Sequence, residues 1–456
     1  MLLGACRLNK RILVTAVAIC VALSLSSCGG YNAGGGGGGG PQGHLQDRVL
    51  ASQGVTANFN FGGLVFINGQ NDTIPRATPL SAGSQPGLMA VSPSLNIVAA
   101  FDAATNGVFA SNTVTQTSMG HVQLQGQSSS IIVPTADPVG YAAVPSASVA
   151  GFNVLGAVDV MNLNTGAITT TIGVSNAQTV ISNANNTQLL VFSATGTNSV
   201  NANAVTVLAP ELAVPPVDTS CNNPSTPSNP QPNAVCTVVP GFDQPVFAIV
   251  NGTTAYVLNC GPECGGTQAS VAVFDINSLT ITRTIPVDAA TYAVLSGPTL
   301  FVTGTSPTNN ACTGQTTAAT TCGRLDIVDL PSGTVTSSVV ITDGYHNHMD
   351  FSNNGQLFLG SRQCTNIGNV NNPSGEVRGC LSIYNIGTGK VIVPPDNGDV
   401  FGLQSFSTRF VEYVAEGGEL RVYDTTKDIL LINDFVPQGN INIVGFVGGV
   451  QAIDFF

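Results

Sequence analysis

From about residue 48 onward, Val, Ile, Phe and Thr come in short runs separated by clusters of Gly, Asn, Ser, Thr and Pro. Helical periodicity is almost absent, and short β-branched runs bounded by turn-formers predict strands. Several runs are self-similar. The clearest are VDVMNLNTGAITTTIGV (158–174), VAVFDINSLTITRTIPV (271–287), LDIVDLPSGTVTSSVVI (325–341), LSIYNIGTGKVIV (381–393) and LRVYDTTKDILLINDF (420–435). Each reads as a strand ending in Asp or Asn, a turn, and a second strand. Two further strands follow, as in QTVISNANNTQLLVFS (178–193), QPVFAIVNGTTAYVLN (244–259) and HNHMDFSNNGQLFLGS (346–361). Four strands per repeat is the pattern of a β-propeller blade. Turn-bearing hairpins open near Leu64, Gly107, Ala157, Val205, Val271, Leu325, Leu381 and Leu420. The expected fold is therefore an all-β propeller of four-stranded antiparallel blades, eight by this count. The chain ends in INIVGFVG and VQAIDFF. Both strands are expected to pair with the blade begun near residue 48 and close the ring, since an open terminal blade leaves a sheet edge exposed.

The repeats resemble the YVTN-type propeller repeat of surface-layer and exported bacterial proteins. In that repeat a strand close to V-x-V-x-D leads through T-G to a T-I-x-V strand. PGLMAVSPSLNIVAAFD (86–102) resembles its other half, while the YVTN tetrad itself is degenerate here, as in AYVLN and LFVTG. The resemblance covers most of residues 48–456. It implies a propeller with seven blades as the alternative count, and it says little about function.

The first residues carry a different pattern. Arg7, Lys10 and Arg11 precede an uncharged apolar run from Ile12 to Leu25. That run is shorter than the roughly 20 residues a transmembrane helix needs and has the length of a signal-peptide core. It ends in Leu25-Ser26-Ser27-Cys28, which resembles the lipobox of bacterial lipoproteins. The resemblance implies cleavage before Cys28 and lipid on its thiol, and two acyl chains anchor stably where one does not. Residue 29 is Gly rather than the Asp that retains some lipoproteins at the inner membrane, so the resemblance implies the outer membrane or cell surface. Gly34 to Gly40 is an unbroken glycine run, which behaves as flexible coil. The expected organisation is a lipoprotein signal peptide at 1–27, a lipidated cysteine and Gly-rich tether at 28–47, and the propeller at 48–456.

Charge and cysteine content agree with an exported body. The chain has a formal net charge of −12, and three of its 13 basic residues lie in the signal. Nucleic acid is excluded as a partner, because binding it needs clustered cations. Membrane attachment falls to the lipid anchor, since an acidic body is repelled by anionic lipid. Of 11 cysteines, Cys6 and Cys20 leave with the signal and Cys28 carries lipid. The remaining eight suggest disulfides. Cys260–Cys264, Cys312–Cys322 and Cys364–Cys380 recur at one place in three consecutive repeats, between a strand end and the next hairpin. Cys221–Cys236 brackets a Pro- and Asn-rich excursion. Local pairing of all four is the economical solution. Metal ligation is the rival, weakened by the absence of paired C-x-x-C motifs.

Candidate chemistry is sparse. His44 lies in the tether and His121 stands alone. His346 and His348 form H-N-H within DGYHNHMDF. On a regular strand both imidazoles and Asp350 share one face. With Asp343 in the incoming loop, they form a possible chelate for a divalent transition metal, at the channel mouth if this strand is innermost. Otherwise no cofactor is expected, and the bland reading is polar residues filling a wet channel wall. Asp275, Asp329 and Asp424 end strands and read as turn stabilisers. No catalytic residue is assigned, because neither a G-x-S-x-G elbow nor a phosphate-binding loop occurs. Two functions remain: a membrane-anchored binding module for an envelope protein, glycan or small molecule, and a metal-assisted hydrolase or lactonase-like enzyme. Dispersed insertions and the lack of convergent charge favour the binding module.

Overall fold

In the computed structural model, residues 47–454 are described except 58–61, 76–77, 136, 151–153, 184–185, 196–200, 210–220, 222–235, 307–321, 365–379, 395–397 and 435. The expected signal peptide, Cys28 and all of the expected tether except Asp47, His44 included, lie outside the described residues.

Eight antiparallel sheets follow one another along the chain. Blades two to eight begin with Pro86–Ser92, Ser130–Ile132, Ala177–Ser182, Pro245–Asn251, Tyr292–Ser296, Tyr345–Phe351 and Val400–Ser405. Each of these strands packs against the first strand of the blade before it and of the blade after it. The remaining gap in this inner ring is filled by Val450–Ala452, which pairs antiparallel with Arg48–Gln53. The innermost strand of the first blade is therefore the last strand of the chain.

All eight hairpins read from the sequence open on the third strand of a blade: Gly63–Asn68, Gly107–Asn112, Ala157–Asn162, Ala204–Leu208, Ser270–Asp275, Cys322–Asp329, Leu381–Asn385 and Glu419–Asp424. Eight blades is thus the count, and the family-level seven is not. The first blade is the incomplete one. Its sheet has three strands, and an isolated bridge between Leu64 and Leu80 takes the place of the fourth.

One expectation is corrected. Of the two C-terminal runs, Val450–Ala452 closes the ring as a strand, and INIVGFVG meets the first blade only through an isolated bridge from Phe446 to Gly54. Asn440–Ile441 pairs instead with Glu419–Asp424 in blade eight. The outer strand of that blade, Ile429–Leu430, covers only Tyr423 and Asp424. It leaves the backbone groups of Leu420 and Arg421 free to pair, and the chain returning after Gly439 satisfies them.

Burial follows position across the blade. Second strands such as Ile97–Asp102 and Val411–Glu416 are buried throughout. Their apolar runs lack alternation because both faces pack against neighbouring blades. Outer strands such as Thr334–Ile341 are mostly exposed and rich in Ser and Thr. The core is not one body. Eight apolar clusters each fill one interface between adjacent blades, as Leu190, Phe192, Val257 and Phe274 do between blades four and five.

Disulfides join Cys221–Cys236, Cys260–Cys264 and Cys364–Cys380, as local pairing predicts. Cys322 is disulfide-bonded, and its expected partner Cys312 lies outside the described residues. The strand-ending aspartates act as turn stabilisers. Asp275 accepts from the Ser278 N–H at 2.7 Å, Asp329 from that of Ser332 at 2.9 Å and Asp424 from that of Thr426 at 2.9 Å.

Candidate functional site

The innermost strands all begin at one end of the ring, where the second strands end. Side chains from all eight innermost strands or the turns leading into them line a cavity of about 1150 Å³ there. Five of these strands carry a register shift near their start: between Pro86 and Met89, Ala177 and Thr179, Pro245 and Phe247, His346 and His348, and Val400 and Gly402. The residues left unpaired include Leu88, Gln178, Val246, Asn347 and Phe401, and every one of them lines the cavity. A bulge turns an extra side chain away from the sheet's normal alternation. Repeated around the ring, it points a collar of side chains inward.

The collar has two arcs. Blades three and four contribute Ser129, Ser130, Gln178 and Thr179, and the Ser129 hydroxyl donates to the Gln178 carbonyl at 2.5 Å. Blades five to eight, with the segment leading to the closing strand, contribute aromatic rings. Phe247 and Tyr292 stack with centroids 4.4 Å apart, and Phe401 meets Phe446 edge-on at 5.2 Å. Tyr345 and Phe446 are 44% and 43% exposed. Arg362, at the end of the second strand of blade seven, lays its guanidinium 4.6 Å from the Phe401 centroid. Among the described residues lining the cavity there is no Asp or Glu, and Arg362 is the only Lys or Arg.

The bulge at Asn347 overturns the same-face geometry expected for the histidines. His346 pairs with Ser361 and His348 with Gly360, which are neighbours on one strand and so face opposite ways. His346 is fully buried and turned toward blade six, where a Cβ on Gly323 would lie 2.9 Å from its Cε1. His348 turns toward the cavity and blade eight. Asp350 keeps register with His348 but is held by backbone. It accepts from the Phe351 N–H at 2.8 Å and the Ser405 N–H at 2.7 Å. Asp343 is buried in the preceding loop, its carbonyl accepting from the Ser361 hydroxyl. Among the described residues no three His, Cys, Asp or Glu are grouped to hold a metal ion. Burial pushes His346 down to about 4, and burial with the neighbouring Arg362 charge pushes His348 down to about 3. Both imidazoles are neutral at physiological pH.

The sequence reading missed Glu263. It sits in the short 3₁₀ turn Gly261–Cys264, inside the loop that Cys260–Cys264 closes. Its carboxylate accepts from the Thr305 N–H at 2.7 Å, and burial pushes the carboxyl up to about 8. Tyr345 lies close enough to feel it: burial and the Glu263 charge push the phenol up to about 12. A second buried acid pair stands deeper, where burial and mutual repulsion raise Glu412 well above the usual range beside Asp350. The signal that could have found Glu263 is its place in the Cys-Gly-Pro-Glu-Cys staple; nothing local signals its burial.

Ring closure, blade count and cavity make this chain an eight-bladed β-propeller. Among solved structures it is similar to the dihydro-heme d1 dehydrogenase NirN in complex with DHE, with a TM-score of 0.57 at 10% identity, over 90% of this chain and 75% of that one. It is more loosely similar to Kuenenia stuttgartiensis hydrazine synthase, with a TM-score of 0.42 at 12% identity, over 82% of this chain and 95% of that one. A computationally designed protein, Ika8, gives a TM-score of 0.49 at 10% identity, over 84% of this chain and 98% of that one. Identities this low speak for the fold alone. No protein-family profile matches the chain, and neither does any curated protein.

Proposed function

We propose that this protein is an exported, lipid-anchored β-propeller of YVTN type that binds a small-molecule ligand at the mouth of its central channel. One observation carries the binding reading: all eight blades line one large cavity, and five of them turn a bulged side chain into it. The volume is slightly above the usual range for small-molecule sites, which are mostly apolar with a few placed polar groups. The aromatic arc, the facing hydroxyls and amides, and the lone guanidinium have that composition. Export is supported by the signal pattern and by three bonded cysteine pairs, which persist in oxidising compartments. Anchoring rests on Leu25-Ser26-Ser27-Cys28; no helix among the described residues is long and apolar enough to cross a membrane.

Mass spectrometry of the wild-type protein from its host should find a mature terminus at Cys28 bearing lipid, and Cys28→Ala should abolish both lipid and cleavage. A mature terminus elsewhere would overturn the anchor. The cavity reading is tested by ligand titration against cavity variants, as set out below.

A further inference from the structure

We infer that the channel-mouth cavity takes a planar aromatic anion, an arene carboxylate or sulfonate, with its charged group on Arg362 and its rings among the aromatic side chains. The inference rests on the reading of the cavity as the binding site and specifies what that site selects.

Charge is the first ground. The chain has 25 acidic and 13 basic residues, yet the described cavity wall has no carboxylate and a single guanidinium. An acidic body with a carboxylate-free cavity concentrates its attraction for anions at one point. Aromatic cages that take cations hold no competing positive charge. Here Arg362 already occupies the ring face of Phe401, so a cationic ligand would meet repulsion and lose the best face. Glu263, behind Tyr345, is protonated at neutral pH and adds no negative charge.

The state of Arg362 is the second ground. Its Nε is buried without a hydrogen-bond partner among the described residues. The acid that acts on it is Asp399, whose carboxylate already accepts from the Gln363 N–H at 2.8 Å. Arg362 lines the cavity, and stacking on a ring leaves the terminal Nη edge of a guanidinium uncovered, an edge that fits a carboxylate or sulfonate with two parallel hydrogen bonds. One guanidinium matches one charge, which argues against polyphosphates.

The third ground is the ring content. Six aromatic side chains line the cavity in a chain that is only 6% aromatic. Two of them, Tyr345 and Phe446, are substantially exposed at the mouth and offer faces for stacking.

The test uses the mature chain from residue 28, with Cys28→Ser to keep it free of lipid and detergent. Two probes with the same rings are titrated by fluorescence: 8-anilinonaphthalene-1-sulfonate and its uncharged counterpart N-phenyl-1-naphthylamine. The sulfonate should bind one per chain. Arg362→Gln should weaken the sulfonate by about 10-fold or more beyond its effect on the uncharged probe, the scale of one charge-assisted hydrogen bond. Phe401→Ala should weaken both probes, and Arg362→Lys should give an intermediate loss for the sulfonate. Circular dichroism and Tm identify any variant that fails to fold, and the Arg362 pair then carries the test. If Phe401→Ala weakens both probes while Arg362→Gln changes neither, the anion inference falls and the cavity reading stands. If neither probe binds, or no cavity variant changes either, the cavity reading falls with it.

Discussion

Asn347 is one extra residue in a strand, and it separates two histidines that regular alternation would place side by side. His346 and His348 consequently sit in different surroundings, both desolvated and both neutral. An ordinary imidazole titrates near 6.5, so the unfolded chain takes up protons that the folded chain refuses until pH falls to about 4 for His346. Their depressed values therefore withdraw stability as pH drops from about 6.5 toward 4. The urea midpoint should fall over that window, and His346→Gln should fall less steeply than wild type. Glu263 works in the opposite sense. Its carboxyl is raised from 4.5 to about 8, so the stability it contributes is fully present below pH 4.5 and lost as pH rises through 8. Glu263→Gln, which keeps an acceptor for Thr305, should gain on wild type between pH 4.5 and 8.5 in the same assay.

The blades show which local devices a repeat can announce. Strand-ending Asp and Asn stood out because turn chemistry is local: each carboxylate reaches backbone two or three residues on. The cysteine pairs were legible for the same reason, since each closes a short stretch at a strand end. Non-reduced peptide mapping should find 312–322 as the fourth pair beside the three seen. In the chain-entropy account, losing Cys221–Cys236, 15 residues apart, should cost about 3 kcal/mol, and losing Cys260–Cys264 about 2 kcal/mol, by denaturant titration. The bulges were not legible. A bulge depends on how many residues the partner strand offers across the ladder, and no residue type at Leu88, Gln178, Val246, Asn347 or Phe401 marks it. The collar that lines the cavity was therefore invisible in the sequence, although every residue in it was in view.

At the scale of the whole molecule, the ring is held shut where its first and last described strands meet. Val450–Ala452 pairs with Arg48–Gln53, and Arg48 grips Asp454 through Nε at 2.6 Å and Nη2 at 2.7 Å. The neighbouring interface is pinned by Asp72, which takes both terminal nitrogens of Arg409 and the Tyr413 hydroxyl. Asp72 is nearly inaccessible, so Asp72→Ala should cost about 3 kcal/mol by leaving a guanidinium and a phenol without their partner. Truncation after Gly449 should do more damage. It bares the edge of Arg48–Gln53 and opens the inner ring, and the product should aggregate and lose its single cooperative transition in scanning calorimetry.

Hydrophobic runs, turn residues and cysteine spacing act over a few residues, and repeated eight times they determine strands, hairpins, blade number and most staples from the chain alone. The same local logic reads a signal and a lipidated cysteine at the N-terminus, which remain proposals. Two things lie beyond it. One is where a strand with a choice of edges will pair: Asn440–Ile441 went to blade eight because a two-residue outer strand left backbone groups open there. The other is direction: whether His346 faces blade six or the channel, whether Glu263 is buried, and whether Arg362 meets Phe401 all depend on bulges and on the packing of neighbouring blades. Those contacts join residues distant in sequence, and only closing the ring brings them together.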